Sequence, residues 1–582
     1  MDEEGRWIVA LATCTLAVLF VVFLAAGSSG APSQAQHLGA LAPRLHANDT
    51  RCLPESLEVS QLFTSGMVLQ RGEGARVWGW VSLGCSVALA VEEEAGGGVF
   101  AARAPLQWGE VELDGRGLWV ATLPEQRGGL ATYRVSVFSS AGDRVVLGSV
   151  QFGEVLACLG QSNIARSTVG SVGAMLGLSP ELMVATAELR AELEATPLPV
   201  RYLGLSPADT IYPDLWHKGA PGLQDFPRPI GLPWIDASTL SPAVLENTSS
   251  VCWLWGREVA ARLGGSVPVG LVEGAVGGSV IQAWSAPAAL AACSAPPAAP
   301  NDFASWAPGG PSALHNVILS PLQVGPLALG GLAWYNGESN SLFQQGDYYA
   351  CALPRLLEDL RKGFGKPLLW VAVVELHPFF IYDVSSVPTA QVRAAQVAAA
   401  SGALRVSLVP AVDLGDSVNN LHPLGLAKLG VAQRLGLAFM RAREQGVFEM
   451  GPRYEGAEAL LGEGEGCSLR VAVRLVAASV DGGGLEVRDP SRDSVSTRCP
   501  TESLSEVFCD GFGIQDREGV WHKASARTSA RSAREVELWV EDCKSGLSPV
   551  ATRNGWGGWP IVLLYDLAGF PAHPWPPTPL EK

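Results

Sequence analysis

Between residues 151 and 446 short apolar runs alternate with segments of helical periodicity, and this alternation restricts the fold more than any other feature of the chain. The runs at 155–159, 267–272, 327–335, 368–374 and 405–412 are apolar on successive residues, as strands buried on both faces must be. Segments 256–263, 348–364 and 424–444 read as helices. In the second of these, Leu353, Leu356, Leu357 and Leu360 share one face. Repeated strand-helix alternation predicts an α/β domain, a parallel sheet with helices on both faces. The flanks differ. Residues 75–80, 86–91, 118–123 and 133–138 on one side, and 469–476, 535–540 and 561–565 on the other, read as strands separated by turns. The 66 glycines and 40 prolines fit such turn-rich sequence. The expected order is a linker at 28–56, an N-terminal β domain at 57–150, the α/β domain at 151–446 with long loops at 165–250, and a C-terminal β domain at 447–576. Both flanking domains are expected to be sandwich-like.

With 57 acidic and 41 basic residues the formal charge is -16, and no basic run stands out, which argues against a nucleic-acid partner. No Cys or His spacing suggests a metal, and no cofactor is expected. Residues 7–26 form an uncharged apolar stretch near the ~20 residues that cross a bilayer as a helix. Asp2, Glu3 and Glu4 outweigh Arg6 before it, which favours a signal anchor over a cleaved signal peptide within residues 1–27. Membrane contact is expected only through this segment, with the rest lumenal or extracellular, tethered or secreted. Asn48 and Asn247 fit the N-glycan acceptor pattern. Of the 11 cysteines, Cys14 lies in the apolar stretch. Some of the others are expected as disulfides, foremost within the set Cys467, Cys499, Cys509 and Cys543. Cys158, in an apolar run, reads as a small buried hydrophobe.

In a parallel sheet, ligands bind beyond the carboxyl ends of the strands, so polar residues directly after apolar runs are the candidates for chemistry. Four places qualify. Gly160-Gln161-Ser162-Asn163 presents Ser162 after a turn, as an acyl-transfer nucleophile must be. Gly277 and Gly278 lie in a loop whose free N–H groups are candidate oxyanion donors, together with the Ser162 N–H. Asn336, in Trp334-Tyr335-Asn336-Gly337-Glu338, offers a side-chain amide for the same purpose, and Glu338 reads better as an internal hydrogen-bond acceptor than as a base. His422, preceded by Asp413 and Asp416 and followed by Pro423, is the candidate base. His217, His377, His522 and His573 lack such a setting.

At these places the chain resembles the sialate O-acetylesterase family of SGNH-type serine hydrolases. The segments 153–163, Gly277-Gly278-Ser279 with Trp284, 334–340 and Leu421-His422-Pro423 occur in the family's order. Further likeness lies in Met67-Val68-Leu69-Gln70, Val77-Trp78-Gly79-Trp80, Arg393 with Gln396, and Gly569-Phe570-Pro571-Ala572, so that it covers roughly residues 57–575. The resemblance implies a metal-free esterase that removes acetyl groups from sugar hydroxyls. Ser162 would be nucleophile and His422 general base, with Gly277 or Gly278, Asn336 and the Ser162 amide holding the oxyanion. Gln161, Asn163, Glu338 and Arg393 are expected as substrate contacts, the last as readily structural. The chain departs from the family where an acid is expected two or three residues before the histidine: those positions are Asn420 and Asn419. Asp416 is the favoured third member; Asp413, a backbone carbonyl or an asparagine are the alternatives. A catalytically silent sugar-binding relative, or an esterase of acetylated plant-type polysaccharide, are the other readings.

Overall fold

The computed structural model describes residues 51–96, 98–104, 112–113, 116–165, 180–205, 230–294, 310–380, 387–416, 420–460, 469–489, 499, 509–544 and 546–581. The apolar segment at 7–26, Asn48, Asn419, His217 and Cys467 lie outside the described residues. Among the described residues no helix is long and apolar enough to cross a membrane.

The central runs form a mostly parallel sheet. In spatial order its strands are Leu232–Asp236, Val200–Gly204, Val269–Glu273, Arg144–Gly160, Gly331–Tyr335, Val371–Val374 and Val406–Val409. All neighbours are parallel except Leu232–Asp236, which closes one edge antiparallel. Every residue of Val269–Glu273, Gly331–Tyr335, Val371–Val374 and Val406–Val409 is buried, which is why each reads as a continuous apolar run. The helices Ser250–Arg262 and Leu426–Met440 pack on each other, as do Gly346–Gly363 and Val387–Gly402.

After Arg144–Gly160 the chain first builds strands on one side of it and then, from Gly331, on the other. The crossovers diverge at the carboxyl end of that strand, the place where open parallel sheets bind their ligands. Registers bring the walls level: Glu273 lies opposite Cys158, and Tyr335 opposite Gly160.

Two features were not anticipated. Segment 165–250, expected as loops, contains the helix Pro180–Ala195 and the strand Val200–Gly204, which joins the parallel sheet. Arg144–Gly160 is one strand of 17 residues that passes through position 150. Its first part pairs antiparallel with Gly129–Ser139 and parallel with Val68–Gln70, and its last part is central in the parallel sheet. One apolar core therefore includes Trp78, Trp119, Leu156 and Trp334.

After 450 the chain forms antiparallel sheets with a separate core of Val471, Val473, Leu475, Ile514, Val536, Leu538 and Trp575. Buried polar contacts fasten it to the α/β region. Arg393, expected as a substrate contact, is 0% exposed. Its guanidinium donates to the carbonyls of Leu376 and His377 beyond one sheet strand and to those of Gly557 and Gly558 in the C-terminal region, at 2.7–2.9 Å. Four of its five N–H donors are spent on these carbonyls, so it clamps the two regions together. His573 pairs with the buried Glu375 at 2.7 Å and with the Met450 carbonyl at 2.8 Å.

Cys52–Cys85, Cys158–Cys252, Cys293–Cys351 and Cys499–Cys509 are disulfides, and Cys543 is also disulfide-bonded. Cys158 is therefore no free hydrophobe: it joins the nucleophile-bearing strand to the helix Ser250–Arg262. Its burial at 0% made the two states indistinguishable from hydropathy. Disulfides in this number fit an oxidising, secretory or extracellular setting.

Candidate active site

The nucleophile candidate is placed by backbone geometry. Gly160 ends its strand at φ 137°, and a Cβ there would lie 2.1 Å from the Tyr335 carbonyl oxygen, so only glycine fits. The Gln161 N–H donates to that same oxygen at 2.9 Å, and the chain leaves the sheet into the short helix Ser162–Ala165. Ser162 is half-buried at the start of this helix, between fully buried Gln161 and Asn163. Its Oγ lies 2.9 Å from His422 Nε2, across 260 positions of sequence.

Loops from the two adjacent strands flank the serine. On one side Gly274 N–H donates to Cys158 O at 3.0 Å and Val276 N–H to Gly160 O at 2.9 Å, which lays the loop alongside the Ser162 turn. Gly277 is exposed, and a Cβ on it would stand 3.7 Å from Ser162 Cβ; Gly278 adopts φ 72°. On the other side Asn336 is 0% exposed and donates from Nδ2 to the Ser279 carbonyl at 2.9 Å, while Oδ1 has no hydrogen-bond partner among the described residues. Its amide carries a second N–H beyond the one used on Ser279.

Gln161, Asn163 and Glu338, expected as substrate contacts, are buried and tie these loops together. Gln161 Oε1 accepts from the N–H groups of Gly337 and Ser339 at 3.2 and 3.3 Å. Asn163 Nδ2 donates to Glu338 Oε1 at 2.6 Å and to the Leu421 carbonyl at 3.1 Å, which fixes the residue before His422. Glu338 thus acts as an internal acceptor. Burial raises its pKa, with the Asn163 hydrogen bond and the Lys428 charge opposing.

Lys428 is a site residue that sequence reasoning missed. It is 1% exposed and donates to Asn163 O and Oδ1 at 2.6 and 2.7 Å. The available signal was a cation on the buried stripe of a helix, aligned with Val431, Ala432 and Leu435.

Of the acids considered for orienting His422, Asp413 makes a bidentate pair with Arg434 at 2.6 and 2.8 Å. Asp416 Oδ2 accepts the Leu424 N–H at 3.4 Å, which brings its carboxylate to the segment just beyond the histidine. Asn420 spends both ends of its amide on the backbone of Phe380. Elsewhere, His377 is buried against the Tyr335 hydroxyl at 2.9 Å, and His522 pairs with Asp516 at 2.7 Å.

Residues 250–441 match the family model described as carbohydrate esterase, sialic acid-specific acetylesterase. That segment is similar to this family. It holds Gly277, Asn336 and His422 and begins after Ser162. Sialate O-acetylesterases of Pongo abelii and Homo sapiens are each 32% identical to the chain, over 37% of it and 36% of their own length. That of Rattus norvegicus is 26% identical over 51% of this chain and 55% of its own. The chain thus spans a third to about half of the length of these relatives. A crystal structure of a carbohydrate acetylesterase from Xanthomonas citri shares the fold, with TM-score 0.63 and 22% identity over 89% of this chain and 98% of that one.

Proposed function

We propose that this protein is a carbohydrate O-acetylesterase of the sialate O-acetylesterase kind, with Ser162 as nucleophile. The observation that carries the reading is the 2.9 Å contact between His422 Nε2 and Ser162 Oγ at the switch point of the sheet. In the reaction, His422 takes the Ser162 proton as Oγ attacks the acetyl carbonyl. The tetrahedral oxyanion is held by the N–H groups of Ser162 and Gly277 or Gly278 and by the Asn336 amide. His422 then returns the proton to the departing sugar hydroxyl, and water, activated by the same imidazole, releases acetate and restores the serine. Asp416 orients His422 in this scheme. The Gln161, Asn163, Glu338 and Lys428 contacts hold the three loops at a fixed separation.

The same proposal treats the flanking β regions as sandwich-like layers and residues 7–26 as a membrane tether of a lumenal or extracellular enzyme. Support for the first is the apolar core shared by antiparallel strands after 450; support for the second is the disulfide complement beyond the apolar stretch. The substrate test is acetate release from O-acetylated sialic acids and from acetylated plant-type sugars. Preference for the first class supports the reading; activity confined to the second redirects it.

A further inference from the structure

We propose, on the basis of that reading, that Glu273 is a positioning residue that keeps the two walls of the site in register only while its carboxyl is protonated. Glu273 is the last residue of its strand, immediately before the loop that carries Gly277 and Gly278. Its Oε1 accepts the Ala275 N–H at 2.7 Å, and its carboxyl is hydrogen-bonded to the Tyr202 hydroxyl. The Tyr202 oxygen in turn accepts the Ser249 N–H at 2.9 Å, and the Ser249 hydroxyl donates to the Ile164 carbonyl, two residues beyond Ser162. A continuous chain of hydrogen bonds therefore joins the Gly277 loop to the Ser162 helix. None of its members touches the Ser162–His422 contact itself.

The surroundings decide which protonation state this chain tolerates. Tyr202 is 0% exposed and Glu273 only 8%. Burial pushes the Glu273 carboxyl up to about 8, against the opposing effect of the Ala275 N–H and the Tyr202 hydroxyl, and among the described residues no cation contributes. Tyr202, from the neighbouring strand, is the titratable group that faces it. Burial, and then the Glu273 charge, hold that phenol well above its usual range, so it stays protonated while Glu273 titrates. Loss of the carboxyl proton to solvent leaves a buried anion with two hydrogen bonds and, among the described residues, no counter-charge, a state that proteins relieve by opening to water. Here the element that meets solvent is the loop at Gly277, which is exposed.

The test compares wild type, Glu273→Gln and Glu273→Ala from about pH 6 to about pH 9.5, by kcat for acetate release and by the rate at which Ser162 is labelled by a fluorophosphonate. Wild type is expected to lose turnover and labelling on the alkaline side with a midpoint near 8. Glutamine copies the protonated acid in shape, so Glu273→Gln keeps kcat within about threefold of wild type at the acid end and lacks the alkaline limb. Glu273→Ala is slower at every pH. Urea unfolding adds a second readout with a defined sign. A carboxyl raised from 4.5 to about 8 in the fold gives stability that is full below 4.5 and lost as pH rises to about 8. Glu273→Gln removes that slope. An unchanged alkaline limb in Glu273→Gln, or flat wild-type labelling through about pH 9.5, overturns the proposal. Wild-type acetate release no greater than that of Ser162→Ala, with labelling still pH-dependent, would instead overturn the substrate reading and leave Glu273 positioning a serine hydrolase of another ester.

Discussion

Ser162 and His422 face each other, yet the turn that carries the serine and the loop that carries the histidine are built by different means. The Ser162 turn is fixed by backbone: a glycine pressed against the Tyr335 carbonyl, the Gln161 N–H bond to that oxygen, and a strand buried on both faces. The His422 loop is held by side chains, through Asn163 to the Leu421 carbonyl, through Asn420 to Phe380, and through Trp559 of the C-terminal region, which lies against Gly415. A nucleophile needs a single fixed position, which backbone sterics supply. A base needs orientation about its ring as well, and that takes side-chain partners from several elements.

Mutations on the two sides should therefore fail differently. The largest effect is expected from Asp416→Asn, which, on the proposed orienting role, should lower kcat about 10³-fold or more with the unfolding midpoint unchanged. Near-normal kcat in that variant would transfer the role to Asn419 or to a dyad. On the oxyanion side, Asn336→Ala should lower kcat about 100–1000-fold with a far smaller change in KM, since the lost donor acts in the transition state. If KM changes instead, Asn336 contacts the ground-state sugar. Lys428→Met leaves Asn163 O and Oδ1 without their cation and should cut kcat roughly tenfold together with about 2 kcal/mol of stability, read by urea unfolding. Loss of stability without loss of kcat would separate the buried cation from the positioning of His422.

How much of this could be read from sequence follows the same division. The parallel sheet was visible because burial on both faces leaves unbroken apolar runs, and Ser162, Gly277, Asn336 and His422 were visible because each directly follows such a run or its loop. The Val200–Gly204 strand was not, since a five-residue run interrupted by Arg201 inside a long connection gives no period to detect. The bridging contacts of Arg393 were hidden for a related reason. Its helix spacing is equally compatible with a ligand or with carbonyl acceptors, and two of those acceptors, Gly557 and Gly558, lie over 160 positions away. Gln161, Asn163 and Glu338 were read as substrate contacts, and polarity alone does not reveal that their atoms tie the loops around the serine together. Cys158 shows the limit from the apolar side: a buried thiol and a buried disulfide look alike in hydropathy.

The most direct test of the central claim is acetate release from O-acetylated sialic acid by the purified protein beside Ser162→Ala and His422→Ala. Steady release is expected from wild type and a fall of about 10³-fold or more in either variant, with all three equally folded. Release by Ser162→Ala at the wild-type rate, or none above it from wild type on any acetylated sugar, would contradict it.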